Sequence, residues 1–157
     1  LERFHANNPE GPQRIVGQER FDHDPLAVIL VRRGGYAVGV ATGGALTEHK
    51  VGTRYVQSRT AAGGWSQQRF ARRRANQADG LVGAAAEHAV RLLTGIRPRG
   101  LVLGGDKALA ASLLDDDRLA GLRHLPRREL YDLPDPRLDV LQKALDRGLA
   151  VRITIEE

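Results

Sequence analysis

Apolar positions change their period along this chain, and the changes divide it into elements. Residues 26–32, 36–41 and 45–51 are rich in Val, Ile, Leu, Ala and Tyr and are separated by Gly34-Gly35 and Gly43-Gly44. Glycine pairs supply the positive φ of tight hairpin turns, so these runs predict an antiparallel three-stranded meander. Farther on, Ala71, Ala75, Ala78, Val82, Ala85, Ala89 and Leu92 recur at intervals of four and three, the period of one helix face. The spacing predicts a helix over 66–94 that stops at Gly95, ahead of Pro98. Beyond it come a short buried strand at 100–103, a helix from Gly104-Gly105-Asp106 through Leu113 or Leu114, and one or two helical turns over 115–122. A short strand at 129–133 precedes a helix capped by Asp135, with Pro136 at its first position, running to Arg147 and closed by Gly148. The alternation over 149–155 is read as a last strand. Antiparallel strands followed by alternating helices and strands predict one α/β domain, a mixed β-sheet with helices packed on it.

Residues 1–25 fall outside this pattern. Leu1-Glu2-Arg3-Phe4-His5 reads as the truncated end of an amphipathic helix, and residues 7–18, with Pro9, Gly11, Pro12 and Gly17, read as a linker or mobile loop. The expected organisation is an N-terminal tail over 1–25 and one domain over 26–157. Composition narrows the chemistry. With no cysteine, thiolate zinc sites, iron-sulfur clusters and thiol catalysis drop out, and a reducing cytoplasm fits. The longest apolar runs fall far short of the roughly 18 residues a membrane crossing requires. A cytoplasmic monomer with no membrane partner is expected.

Charge then changes the picture. The net charge is +5, but residues 50–78 hold seven bases (Lys50, Arg54, Arg59, Arg69, Arg72, Arg73, Arg74) and no Asp or Glu, so the remainder carries 5 − 7 = −2. Cations near a helix start oppose the helix dipole, which argues for an anionic partner rather than for helix stability. Arginine forks match phosphate geometry, and so dense a group is relieved by a polyanion. The partner expected is RNA. Within the segment, Gly63-Gly64-Trp65-Ser66-Gln67-Gln68 forms a neutral tip in which glycine lets the backbone approach another backbone closely. A plain strand-to-helix turn with Trp65 folded onto the core is the competing reading.

The run Arg54-Tyr55-Val56-Gln57-Ser58-Arg59, followed by Gly63-Gly64-Trp65-Ser66-Gln67-Gln68-Arg69 and a basic helix, resembles the Vms-like release factor (VLRF) domain, in its compact bacterial branch. That family is related to the central domain of the eukaryotic class-1 peptide release factor, whose Gly-Gly-Gln loop enters the peptidyl transferase centre. The VLRF pattern places glycine three residues before glutamine and here selects Gly64 and Gln67, with Gln68 as the alternative. The resemblance runs from the first hairpin to the final strand. It implies the release-factor central-domain fold and ribosome-dependent hydrolysis of peptidyl-tRNA, freeing nascent chains from stalled large ribosomal subunits. It also implies ribosomal RNA as a partner and no cofactor. Some members are described as cutting tRNA near its CCA end, so the scissile bond stays open. By this reading Gly63, Gly64 and Gln67 are the catalytic tip, and Arg54, Arg59, Trp65, Arg69, Arg72, Arg73 and Arg74 bind RNA. Glutamine has no useful pKa; it orients a water, and its backbone N–H stabilises a developing oxyanion, with proton handling left to RNA. A non-catalytic RNA-binding or ribosome-binding adaptor is the runner-up. A self-sufficient nuclease lacks a histidine or carboxylate in residues 50–78.

Other motifs carry less. Gly104-Gly105-Asp106-Lys107 lacks both the Walker ending and GxGxxG spacing, and is read as a strand-to-helix turn with Asp106 near the cap. Asp115-Asp116-Asp117 is read as a solvated helix start, and the five histidines share no metal spacing. Ser66 has no triad partner and is read as a cap. Arg127-Arg128 is read as solvated charge or an extension of an RNA surface.

Overall fold

A computed structural model describes residues 13–53 and 67–156 and, within the first helix, side chains from Ala78 onward. Its strands are β1 (Arg14–Glu19), β2 (Leu26–Arg32), β3 (Gly35–Thr42), β4 (Ala45–Thr53), β5 (Gly100–Gly105), β6 (Arg127–Leu130) and β7 (Arg152–Glu156). Its helices are α1 (Gln67–Leu93), α2 (Lys107–Leu114), a 3-10 turn η1 (Asp117–Leu122) and α3 (Leu138–Leu149). They form two compact units, a large one over His23–Gly148 and a small one containing β1 and β7.

The large unit is a mixed α/β layer built on a five-stranded sheet of order β4-β3-β2-β5-β6. β2, β3 and β4 are the predicted antiparallel meander, while β5 pairs parallel to β2 and β6 parallel to β5. The central strands β2, β3 and β5 are buried almost throughout, as strands covered on both faces must be. The edges are managed differently: β4 is long and polar, with Glu48, His49 and Lys50 exposed, and β6 is four residues long. Ala27, Ile29, Val31, Val38, Leu101 and Leu103 meet α1 and α2 on one face. α3 covers the other, where a Cβ added to Gly39 would stand 3.2 Å from Leu141 and one added to Gly148 only 2.5 Å from Val102.

The two hairpins are not alike. Gly43 and Gly44 take φ of 62° and 82°, as a two-residue turn between Thr42 and Ala45 requires, and the Gly43 N–H donates to the Asp24 carboxylate. The first turn is Arg33-Gly34 and uses no positive φ; Gly35 is already in β3, where a Cβ would meet the Gly52 carbonyl at 2.6 Å. Its glycine serves strand approach, not turn handedness.

Four further expectations change. Residues 14–18, read as linker, belong to β1, and the last strand pairs antiparallel with β1 rather than joining the main sheet. α3 begins at Leu138, because Asp135 faces Arg32 at 3.6 Å instead of capping; the first turn closes from Leu141 N–H to the Arg137 carbonyl. Gly148 lies inside α3 as a close-packing position. Arg128 is buried at 2% exposure, not solvated: β6 turns it inward, and its guanidinium donates to the Gly148 carbonyl in the last turn of α3, where the helix dipole favours a cation.

Candidate nucleic-acid interface

The segment singled out by charge leaves the sheet at Thr53, the end of β4, which is paired with Gly35. Because β4 runs in the same direction as β2, β5 and β6, this exit lies at the edge where those parallel strands also end. Arg54, Arg59, Gly63, Gly64, Trp65 and Ser66 lie outside the described residues. The chain is described again at Gln67, the first residue of α1.

α1 is tied down through its later turns. Leu81, Val82, Ala85, Ala86 and Ala89 are buried. The predicted seam is thus correct at Val82, Ala85 and Ala89 and omitted Leu81 and Ala86; Ala78 and Leu92 are half-buried. The His88 ring stacks on Tyr36 at 5.6 Å, and Tyr36 lies flat only because Gly52 has no Cβ, which would stand 2.3 Å from the ring. Arg118 donates to Glu87 at 3.0 Å and holds Asp116 at 2.9 Å, while Arg91 reaches Glu87 at 3.3 Å. Hydrogen bonding from Arg118, reinforced by its charge, holds the Glu87 and Asp116 carboxyls below their ordinary values, and those bonds raise the guanidinium in turn. No sequence signal marks Glu87 and Arg118 as partners, since 31 residues separate them. The helix closes as expected, with Gly95 at φ 79°.

Gln67 precedes Leu81, the first buried residue of α1 among those whose side chains are described, by fourteen positions, about 21 Å of helix axis at 1.5 Å per residue. That stretch contains Gln67, Gln68, Arg69, Arg72, Arg73 and Arg74. At roughly 100° per residue, positions 69, 72 and 73 share an arc on the side of the axis opposite the buried seam, whereas position 74 falls on the seam's side. The helix therefore gathers three of these arginine positions and separates the fourth. Its first turn has no acidic residue, so the positive end of the helix dipole and the cations add to one positive field.

Elsewhere the competing motifs resolve into structure. Gly105 takes φ 101°, and a Cβ there would stand 2.2 Å from the Val31 carbonyl; Asp106 caps α2 by accepting from Leu109 N–H at 3.0 Å. The three aspartates do separate jobs: Asp115 ends α2, Asp116 caps η1 and Asp117 faces Arg123 at 3.9 Å. Among the described residues no group of His, Asp or Glu is arranged to hold a metal ion, and no helix is long and apolar enough to cross a membrane. Tyr131, bonded to Glu129, is pushed up to about 12 by burial first and by that bond second, so it remains a phenol donor.

A profile of the Actinobacteria/chloroflexi VLRF1 release factor family matches residues 24–154. The chain belongs to that family. Among solved structures it is similar to an archaeal translation termination factor, aRF1, with a TM-score of 0.52 and 18% identity over 76% of this chain and 32% of that one. At this identity the likeness concerns the fold, and the chain spans about a third of that structure's length. No curated protein matches. The family is described as one of release factors.

Proposed function

We propose that this VLRF1 domain is a ribosome-dependent peptidyl-tRNA hydrolase that frees nascent chains from stalled large ribosomal subunits. The observation that carries the reading is a neutral amide tip, Gly63 to Gln68, set inside seven bases without an acid and leading into the first turn of α1. In this reading Gly63 and Gly64 let the tip enter a narrow RNA-lined site, and Gln67 orients the attacking water while its backbone N–H meets the oxyanion. Arg54, Arg59, Arg69, Arg72, Arg73 and Arg74 hold phosphates, and Trp65 stacks on a base. No side chain in residues 50–78 has a pKa suited to proton transfer at neutral pH, so the proton passes to RNA or solvent.

The test uses large subunits carrying peptidyl-tRNA, with peptide release timed and the 3′ end of the tRNA product identified. Gln67→Ala, which removes the water-orienting side-chain amide and keeps the backbone N–H, is expected to slow release by about 10²-fold, the scale of a misplaced reacting group, and an intact CCA end is expected. Should Gln68→Ala fail while Gln67→Ala works normally, the roles of the two glutamines exchange. A shortened CCA end would replace ester hydrolysis by tRNA cleavage, and wild-type rates in both variants would leave an adaptor that binds without catalysing.

A further inference from the structure

The loops at the strand ends beside Thr53 carry a second set of cations. Arg33 occupies the turn between Arg32 and Gly35, Lys107 opens α2, and Arg137 precedes α3; all three are exposed. Register and contacts bring them around one point, the end of β2. Asp106, next to Lys107, donates its N–H to the Val31 carbonyl at 2.8 Å. Arg32 donates to the Leu133 carbonyl at 2.7 Å and faces Asp135 at 3.6 Å, which sets the segment leading to Arg137 against the same strand end. A Cβ on Gly34, beside Arg33, would lie 3.6 Å from the Asp135 carboxylate.

The acids of this edge are largely occupied. Asp106 caps α2, Asp135 faces Arg32, Asp132 holds Arg147 at 3.0 Å and Glu129 accepts from the Tyr131 hydroxyl, while Asp139 has no such partner among the described residues. Arg33, Lys107 and Arg137 make no ion pair among the described residues. Three uncommitted cations thus stand on separate loops, at the edge from which the basic segment departs and only two strands from Thr53 at β2, about 10 Å.

We infer that Arg33, Lys107 and Arg137 form a second phosphate grip, which holds RNA backbone against the strand-end edge of the sheet while the arginine segment engages it farther out. The inference rests on the RNA-facing reading above and adds a surface that the linear charge pattern does not contain. A grip on the sheet fixes where the body of the domain sits, so that the tip arrives in one orientation; these three are positioning residues.

The test measures binding of the protein to purified bacterial large ribosomal subunits across a potassium chloride series. Each phosphate contact contributes roughly 0.7 to 0.9 to the slope of log affinity against log salt. Combining Arg33→Gln, Lys107→Gln and Arg137→Gln should reduce that slope by about 2 to 3, with each single variant contributing a share. Arg97→Gln with Arg99→Gln, exposed cations beside the start of β5 at the opposite edge, should leave it unchanged. Circular dichroism and melting temperature check that all variants fold, as exposed substitutions allow. If wild type binds and the triple variant keeps its slope, the grip is overturned while the RNA-facing reading stands. Weaker binding at unchanged slope would assign the edge to a protein contact and equally overturn it. An equal loss in the Arg97/Arg99 variant would mean that general charge, not this edge, sets the affinity. Failure of wild type to bind at any salt would instead sink the underlying reading.

Discussion

From Leu81 onward α1 lays Leu81, Val82, Ala85, Ala86 and Ala89 into the sheet, whereas its residues 67–78 contain four arginines, three glutamines and no carboxylate. The later half follows the rule of the amphipathic helix, with burial supplying the stability that a helix in water lacks. The earlier half concentrates cations where the dipole opposes them. One continuous helix thus joins a packed part to a part whose charge, on the proposed reading, serves RNA. Substitutions in the two halves should therefore separate folding from binding.

The largest expected effect is on the packed half. Leu81→Ala should lower the unfolding free energy by about 2–5 kcal/mol, read from the denaturant midpoint, because it opens a cavity in the core facing the sheet. A loss below 1 kcal/mol would mean that this half is not the anchor. Next, Gly83 lies on the exposed side of the same half, and a Cβ there meets nothing within 4 Å. Gly83→Ala should stabilise by about 0.5–1 kcal/mol, since alanine loses less backbone freedom in a helix; no gain would point to strain that the static packing does not contain. In the earlier half, Arg69→Gln, Arg72→Gln and Arg73→Gln should each change stability by less than about 0.5 kcal/mol, while lowering the salt dependence of RNA binding by roughly one slope unit for each phosphate contact removed. A large loss of stability there would erase the contrast.

The smallest effect concerns the ion pairs that hold the packed half to η1. Glu87 and Asp116 are depressed below their ordinary values of 4.5 and 3.8, so their contribution is present above those values and disappears as pH falls through the lower folded-state values. Melting temperature should therefore drop on acidification below about pH 4.5, and Arg118→Gln should flatten the drop. An unchanged pH profile in that variant would show that the network is solvated without consequence, as exposed pairs often are.

Local rules made much of this fold readable. The meander, the run of α1 from Gln67 to Leu93 and its stop at Gly95 follow from periodicity and glycine placement. What escaped depends on partners distant in sequence. β1 is a six-residue strand with Gly17 in it, and Ile15 finds Ile155 only after the whole chain has returned. Asp135-Pro136 has the form of a helix start, yet Arg32, about a hundred residues earlier, holds the aspartate. Arg128 looks like surface charge until α3 lays a carbonyl over it. The candidate site divides in the same way. Residues 50–78 announce themselves by composition, whereas Arg33, Lys107 and Arg137 become neighbours only through the pairing of β2 with β3 and β5 and the Arg32 contacts.

The ribbon of β1 and β7 has a consequence for engineering. Glu19 stands opposite Arg152, and the two strands stay in register, apart from a bulge at Val16, as far as Arg14 and Glu156. The chain therefore enters and leaves the small unit's ladder through one doorway, a cross-strand pair about 5 Å wide. A graft of residues 14–156 into one surface loop of a host protein would therefore have its two junctions side by side, at Arg14 and Glu156.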